Sequence, residues 1–279
     1  MPATFVFLWA TGFIGAKYGL PYAQPATFLV YRFIFVVALM LPIAILLRAP
    51  WPPDRSQVVH IAIAGVLLHG GYLGGVFTAI HAGMSAGLSA LIVGLQPILT
   101  ALAAAPLLGE RVSARQWAGL ALGFGGVALV VAQRLTVGGL SGFSLAMAVL
   151  GLVSITIGTL YQKRYCGAFD LRSGAVIQFV AAGLVLAPFA LLFEHAPVRW
   201  TGEFVFAMAW LVLVLSIGAI SLLTLLIRRG AATKVASLFY LVPPVTASIA
   251  FLLFGETLGP LALAGFVLAV VGVAVVVRN

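Results

Sequence analysis

Residues 96–131 read QPILTALAAAPLLGERVSARQWAGLALGFGGVALVV, and residues 242–277 read VPPVTASIAFLLFGETLGPLALAGFVLAVVGVAVVV. In both, a proline (Pro97, Pro243) is followed three positions later by threonine and then by a Gly-Glu pair that opens a glycine-rich apolar run. Extended without a gap to Ala86–Val131 and Ala232–Val277, the two segments are identical at 18 of 46 positions at an offset of 146. So apolar a composition would give about four or five identities by chance, which makes this an internal repeat. The same offset pairs Gly12 with Gly158, Lys17 with Lys163, Pro42 with Pro188 and Thr78 with Thr224. The duplication therefore runs through the whole chain, and we divide it into residues 1–134 and 141–279.

The composition says where such a chain can live. Of 279 residues, 63% are hydrophobic and 8% charged, with a mean hydropathy of +1.20, against about 25% charged in soluble domains. Charge-free stretches of bilayer-spanning length, about 20 residues, cover 116–133, 135–162, 173–193, 204–227, 235–255 and 257–277, and apolar runs broken only by Lys17 and Arg32 add 1–19 and 25–47. The stretch 56–109 is long enough for two spans with a turn near Ala82–Met84. The spacing predicts an all-α integral membrane protein of ten transmembrane helices, residues 1–19 being a span and not a cleaved leader. Five spans per half is an odd number, so the second half enters the membrane upside down and the fold is a pair of inverted five-helix repeats. That arrangement is characteristic of secondary transporters.

The net charge of +9 comes from 15 basic residues scattered singly among apolar runs. They make no phosphate-binding stripe, so no nucleic-acid partner is expected. With a cytoplasmic N-terminus, eleven basic residues fall on the cytoplasmic side and three (Lys17, Arg134, Arg199) on the other, a positive-inside bias. Both termini are then cytoplasmic, and the expected location is a bacterial inner membrane. A single Cys166 excludes a disulfide framework, and His60, His69, His81 and His195 lack the helical spacing that chelates zinc. No metal, cofactor or catalytic residue is expected, since no nucleophile-base or carboxylate pair lies inside a span.

The two quoted stretches resemble the EamA-type repeat of the drug/metabolite transporter superfamily. LWATGFIGAKYGL near the start and YRF in span 2 look like the corresponding parts of that family, and the likeness covers essentially the whole chain. The resemblance implies export of small metabolites across the inner membrane, as by amino-acid exporters of the YddG type. It does not identify a substrate.

Polar groups in hydrocarbon are costly unless they face a bundle interior or a wet cavity, so those within spans are the pathway candidates. His69 and Tyr72 share a face of span 3 among small residues (Gly70, Gly71, Gly74, Gly75), and lead the candidates for substrate contact. Gln96 lies at the centre of span 4. Pro97 and the Pro243–Pro244 pair each remove a backbone hydrogen bond, and are read as hinges at matching points of the halves. Trp9, Thr11, Ser154, Thr156, Tyr161, Ser216, Ser221 and Tyr240 complete the expected lining. Arg32, the one formal charge inside a span, and its repeat mate Gln178 are read either as structural hydrogen-bonders or as contacts for a substrate carboxylate. Glu110 and Glu256 open the last helix of each half, where a carboxylate suits the helix dipole.

An aromatic lining with few charges suits amphipathic zwitterions, and no Asp or Glu lies mid-span to couple a cation. The sequence thus favours an amino-acid or related metabolite exporter that works by alternating access as a facilitator or exchanger. Efflux of cationic drugs or another metabolite class is the alternative, and a channel is a weaker one. Glycine faces at Gly119 and Gly123 and at Gly265 and Ala269 leave two options open: pairing of the last helices within a chain, or a homodimer.

Overall fold

The computed structural model describes residues 2–96, 98–100, 113–136, 140–166, 169–219, 222, 241–256 and 259–277. Among them there are ten helices and no strand. The first half contains α1 (Pro2–Gly19), α2 (Pro25–Leu46), α3 (Arg55–His81), α4 (Ala86–Val93) and α5 (Ala114–Thr136). The second contains α6 (Gly142–Tyr165), α7 (Leu171–Phe193), α8 (Gly202–Ala219), α9 (Val242–Phe254) and α10 (Pro260–Val277). Of these, α2, α3, α6, α7 and α8 are individually long and apolar enough to cross a membrane. Polarity runs inside out: Leu46, Leu191 and Leu252 are 77–80% exposed, whereas Thr11, Arg32, Ser154, Gln178, Ser216 and Thr246 are buried. That distribution suits a hydrocarbon exterior.

The helix contacts obey the repeat. Helix α5 packs on its mate α10 and α2 on its mate α7, while α3 on α6 is answered by α8 on α1, and α4 on α6 by α9 on α1. The α5–α10 seam is closed by small residues, because a Cβ on Gly126 would strike the backbone of Gly265 and Ala269, and one on Gly272 the backbone of Gly119 and Gly123. Early residues of α5 thus meet late residues of α10, the antiparallel pairing that inversion demands. Of the two options for these glycine faces, pairing within the chain is the one the structure shows. Where α2 meets α7, the mates Phe33 and Phe179 lie with ring centroids 5.4 Å apart.

The helix ends show how the halves are tied. Gln24, the N-cap of α2, makes no side-chain cap bond. Glu194, at the C-terminus of α7, serves instead, accepting from the Ala26 and Thr27 amides at 2.8 and 2.6 Å. The Ala196 amide returns a bond to Gln24 Oε1 at 3.0 Å, and the Arg199 amide one to the Tyr22 carbonyl at 2.9 Å. At the opposite end, Ser173 Oγ donates to the Pro50 carbonyl (2.7 Å) and Gln57 Nε2 to that of Cys166 (3.3 Å). There Asp170 caps α7, and its hydrogen bonds from Arg172 hold the carboxyl below its ordinary range.

Two segments depart from α geometry. Val66–Gly71 in α3 and Trp210–Ala219 in α8 are π-helical, and the repeat offset carries 66–71 onto 212–217, inside the second. A π turn inserted at the same place in both halves is a feature of the repeat unit, and such turns are frequent at functional sites.

The seam makes a direct prediction. Gly126→Leu should force α5 off α10 and cost about 1–3 kcal/mol, lowering the melting temperature of the detergent-purified protein by several degrees. Gly125→Ala, where a Cβ meets nothing within 4 Å, should melt like the wild type.

Candidate functional site

A small, partly open cavity lies among the helices, lined by Trp9 and Phe13 of α1, Tyr72 of α3, and Ala90, Val93, Gly94 and Gln96 from α4 and the turn that follows it. Ile155 of α6 and Val242 and Pro243 of α9 complete the wall. Three of the residues expected along a substrate path, Trp9, Tyr72 and Gln96, are therefore brought together, with the expected hinge Pro243 beside them. Ile155 is the repeat mate of Trp9, and Val242 that of Gln96. The cavity thus sits between the repeats with equivalent positions facing it from both halves, polar or amphipathic on one side and aliphatic on the other.

Local sequence explains these positions. Pro243 and Pro244 occupy the first turn of α9, where no intrahelical amide donor is needed. Pro243 packs where α9 crosses α4, since a Cβ on Gly94 would come within 2.9 Å of its ring. Gln96 Nε2 donates to Thr159 Oγ1 of α6 at 3.1 Å, which orients its amide beside the cavity. Trp9 is half-buried, its ring tilted against Phe5 at 5.5 Å.

The other candidates stand elsewhere. Thr11 Oγ1 donates to the Leu8 carbonyl (2.6 Å) and accepts from Trp210 Nε1 (2.9 Å), so it joins α1 to α8. Thr156 donates back to the Leu152 carbonyl four residues earlier at 2.7 Å. Ser154 is buried against Gly71, so close that a Cβ there would lie 2.5 Å from its Oγ. Tyr161 is near the opposite end of the bundle, its hydroxyl 2.7 Å from His60 Nδ1, with Tyr165 stacked on the His60 ring at 5.4 Å. Tyr240, Pro97 and Ser221 lie outside the described residues.

His69 does not line the cavity, although Tyr72 three residues on does. Its ring stacks on Phe179 at 4.2 Å, and its Nε2 lies 3.3 Å from Gln178 Oε1; Gln178 Nε2 in turn donates to Gln162 Oε1 at 2.8 Å. Arg32, the mate of Gln178, is buried and donates from Nη2 to Ser216 Oγ at 3.2 Å. Each of these two bonds reaches one of the π segments. Ser216 Oγ itself donates to the Leu211 carbonyl five residues back (3.0 Å), within the π segment.

A second cluster lies at one end of the bundle. Gly255 ends α9 with φ of +64°, a left-handed conformation that suits glycine, and the chain then delivers Glu256 to Lys17 at the C-terminus of α1. Lys17 Nζ pairs with Glu256 Oε1 and lies 5.0 Å from the centre of the Phe254 ring. The same oxygen accepts from the Ala86 amide, at the start of α4, at 3.2 Å. Glu256 therefore caps α4 and ties three elements of the two halves together.

Phe13 and Ile155 were not legible as lining residues from polarity, being apolar; the offset applied to Trp9 is the signal that finds Ile155. Removing the Glu256 acceptor leaves both an amide and an ammonium group without their partner. Glu256→Ala should cost about 1–3 kcal/mol in thermal denaturation in detergent, and Lys17→Met less, because the Ala86 amide keeps its acceptor.

Comparisons with known proteins complete the site's context. The model of the EamA-like transporter family matches twice, over residues 3–132 and 142–278. The uncharacterized transporter YvbV of Bacillus subtilis is 27% identical over 98% of this chain and 89% of its own length. A Salmonella typhimurium protein named "Probable amino-acid metabolite efflux pump" is 27% identical over 96% of this chain and 90% of its own. A Streptantibioticus cattleyicolor protein named "Probable terminal-alkyne amino-acid exporter" is 30% identical over 70% of this chain and 65% of its own. A crystal structure with 20% sequence identity covers 98% of this chain and 94% of its own at a TM-score of 0.65, and shows the same fold.

Proposed function

This chain belongs to the EamA-like transporter family, and on that premise we propose that it exports amino acids or related small metabolites across a bacterial inner membrane. The observation that carries the reading is the cavity between the inverted repeats, lined by Trp9, Tyr72 and Gln96 on one side and Ile155 and Val242 on the other. A site between two repeats can be exposed alternately to either face when one rocks against the other. The halves that rock are residues 1–134 and 141–279, with both termini cytoplasmic; this puts the Lys17–Glu256 cluster at the external end. Amphipathic aromatic walls and one amide suit a zwitterion with a small apolar side chain. Relatives named as amino-acid exporters support the same class.

With no acidic group mid-span to carry a coupling cation, transport proceeds as facilitation or exchange. His69 has aromatic and amide partners and stands off the cavity, and serves the α3–α7 contact. The runner-up, efflux of cationic drugs, calls for a buried anion that the wall does not present among its lining residues.

The test is uptake of a labelled amino-acid panel into proteoliposomes holding the purified full chain, with and without an imposed pH gradient. Saturable uptake that ignores the gradient is expected; no uptake of any amino acid by folded protein overturns the reading. Tyr72→Ala and Gln96→Ala should each lower kcat/KM at least about tenfold, while His60→Phe at the far end stays within about twofold.

A further inference from the structure

Arg32 is 93% buried and charged, in the middle of a bundle whose described acidic side chains, Asp54, Asp170, Glu194, Glu203 and Glu256, all stand at helix ends. Among the described residues it has no ion-pair partner and a single hydrogen bond, to Ser216 Oγ. Its Nε is buried with no partner at all. A cation so placed in a membrane helix is expensive, and in general finds an anion or marks a pathway.

The repeat supplies the control. At the equivalent position of the other half stands Gln178, whose amide has a partner at each end, its oxygen beside His69 and its nitrogen on Gln162. The fold therefore supplies partners to both ends of a neutral side chain at this position. In the first half that place holds a charge whose donors are left over. Nε and Nη2 lie on one edge of the planar guanidinium, the edge that takes a carboxylate through two parallel bonds. In the present state Ser216 Oγ occupies half of that edge. Helix α2 also packs on the part of α3 that carries Tyr72, a wall residue of the cavity, with the Phe33 ring 6.3 Å from that of His69.

We propose that Arg32 is the carboxylate-recognising residue of the transport site, reached from the cavity past Tyr72, with the substrate oxygens taking Nε and displacing Ser216 from Nη2. This rests on the transport reading above and narrows it to small carboxylates, amino acids among them, over amines and cationic drugs.

The test is ligand-induced change in tryptophan fluorescence and melting temperature of the detergent-purified full chain. The probes are leucine, phenylalanine, threonine and alanine, each beside its amide and its desamino acid. In the wild type at least one series should bind as acid, with the amide weaker by about tenfold or more. Arg32→Gln should erase that preference, and Arg32→Lys should retain part of it. Amides binding as tightly as acids, no carboxylate binding, or Arg32→Gln with an intact preference each overturn the proposal. The acid-amide comparison in the wild type stands even if Arg32→Gln does not fold. Acids that bind but are not taken up by proteoliposomes would sink the transport reading and leave the assignment of Arg32 standing; uptake without acid preference would do the reverse.

Discussion

Phe33 and Phe179 occupy the same position in the two repeats and meet ring to ring at 5.4 Å. An axis that relates two halves must pass between any mates that touch, so this contact and the crossing of the mate helices α5 and α10, where Gly126 meets Gly265 and Gly272 meets Gly119, mark where it runs. The axis lies across the bundle, because five helices per half reverse the second repeat. The two seams on it are closed by different means. Between α5 and α10 the absence of side chains lets backbones meet, which suits a medium where no hydrophobic force drives helices together. Between α2 and α7 aromatic rings fill the gap, and Glu194 and Ser173 bind the two ends.

Everything off the axis comes in pairs, and the pairs have diverged. Position 32/178 bonds to a π segment in both halves, through Arg32–Ser216 and through His69–Gln178, with the chemistry changed and the geometry kept. Positions 9/155 and 96/242 face the cavity from both sides as Trp9 and Ile155, Gln96 and Val242. For the zwitterion proposed above, a symmetric scaffold with an asymmetric lining sets one orientation, because among the described residues the hydrogen-bonding side chains line one wall and the buried charge, Arg32, belongs to one half.

The architecture was legible in the sequence to the degree that it depends on length, hydropathy and repetition. Ten spans, the turn at Gly83 and the inverted halves all follow from these. The boundaries slid where charge-free stretches run past a helix end: residues 135–162 are free of charge, yet α5 reaches Thr136 and α6 starts at Gly142. The site was legible in part. Polarity pointed to Trp9, Tyr72 and Gln96 together, and equally to Thr11 and Thr156, whose hydroxyls turn to helix carbonyls instead. A membrane helix can satisfy Ser or Thr on its own backbone, so polarity in a span does not say which way the group faces. Glu256 shows the same limit at a helix end. The dipole argument placed it at the N-terminus of its own helix, whereas its oxygen is beside the Ala86 amide of another. The π segments had no local signal, since a π turn is defined by one residue more than the α spacing allows, not by residue type.

Inversion also says what a change of state requires. An exact two-fold would make both ends of the bundle alike, and a structure open to one side only must break that symmetry. Lys17, Glu256 and the Ala86 amide join helix ends at one end of the bundle; the repeat offset carries these three to Lys163, Glu110 and Ala232. The residues for an equivalent cluster at the other end are therefore encoded in the sequence, and the two clusters need not hold at once. A partly exposed ion pair with one shared amide contributes on the order of 1–3 kcal/mol. A difference of that size between two arrangements leaves both populated. For the alternating access proposed above, the α2–α7 and α5–α10 seams on the axis stay fixed while α1, α3, α4, α6, α8 and α9 exchange roles around the cavity.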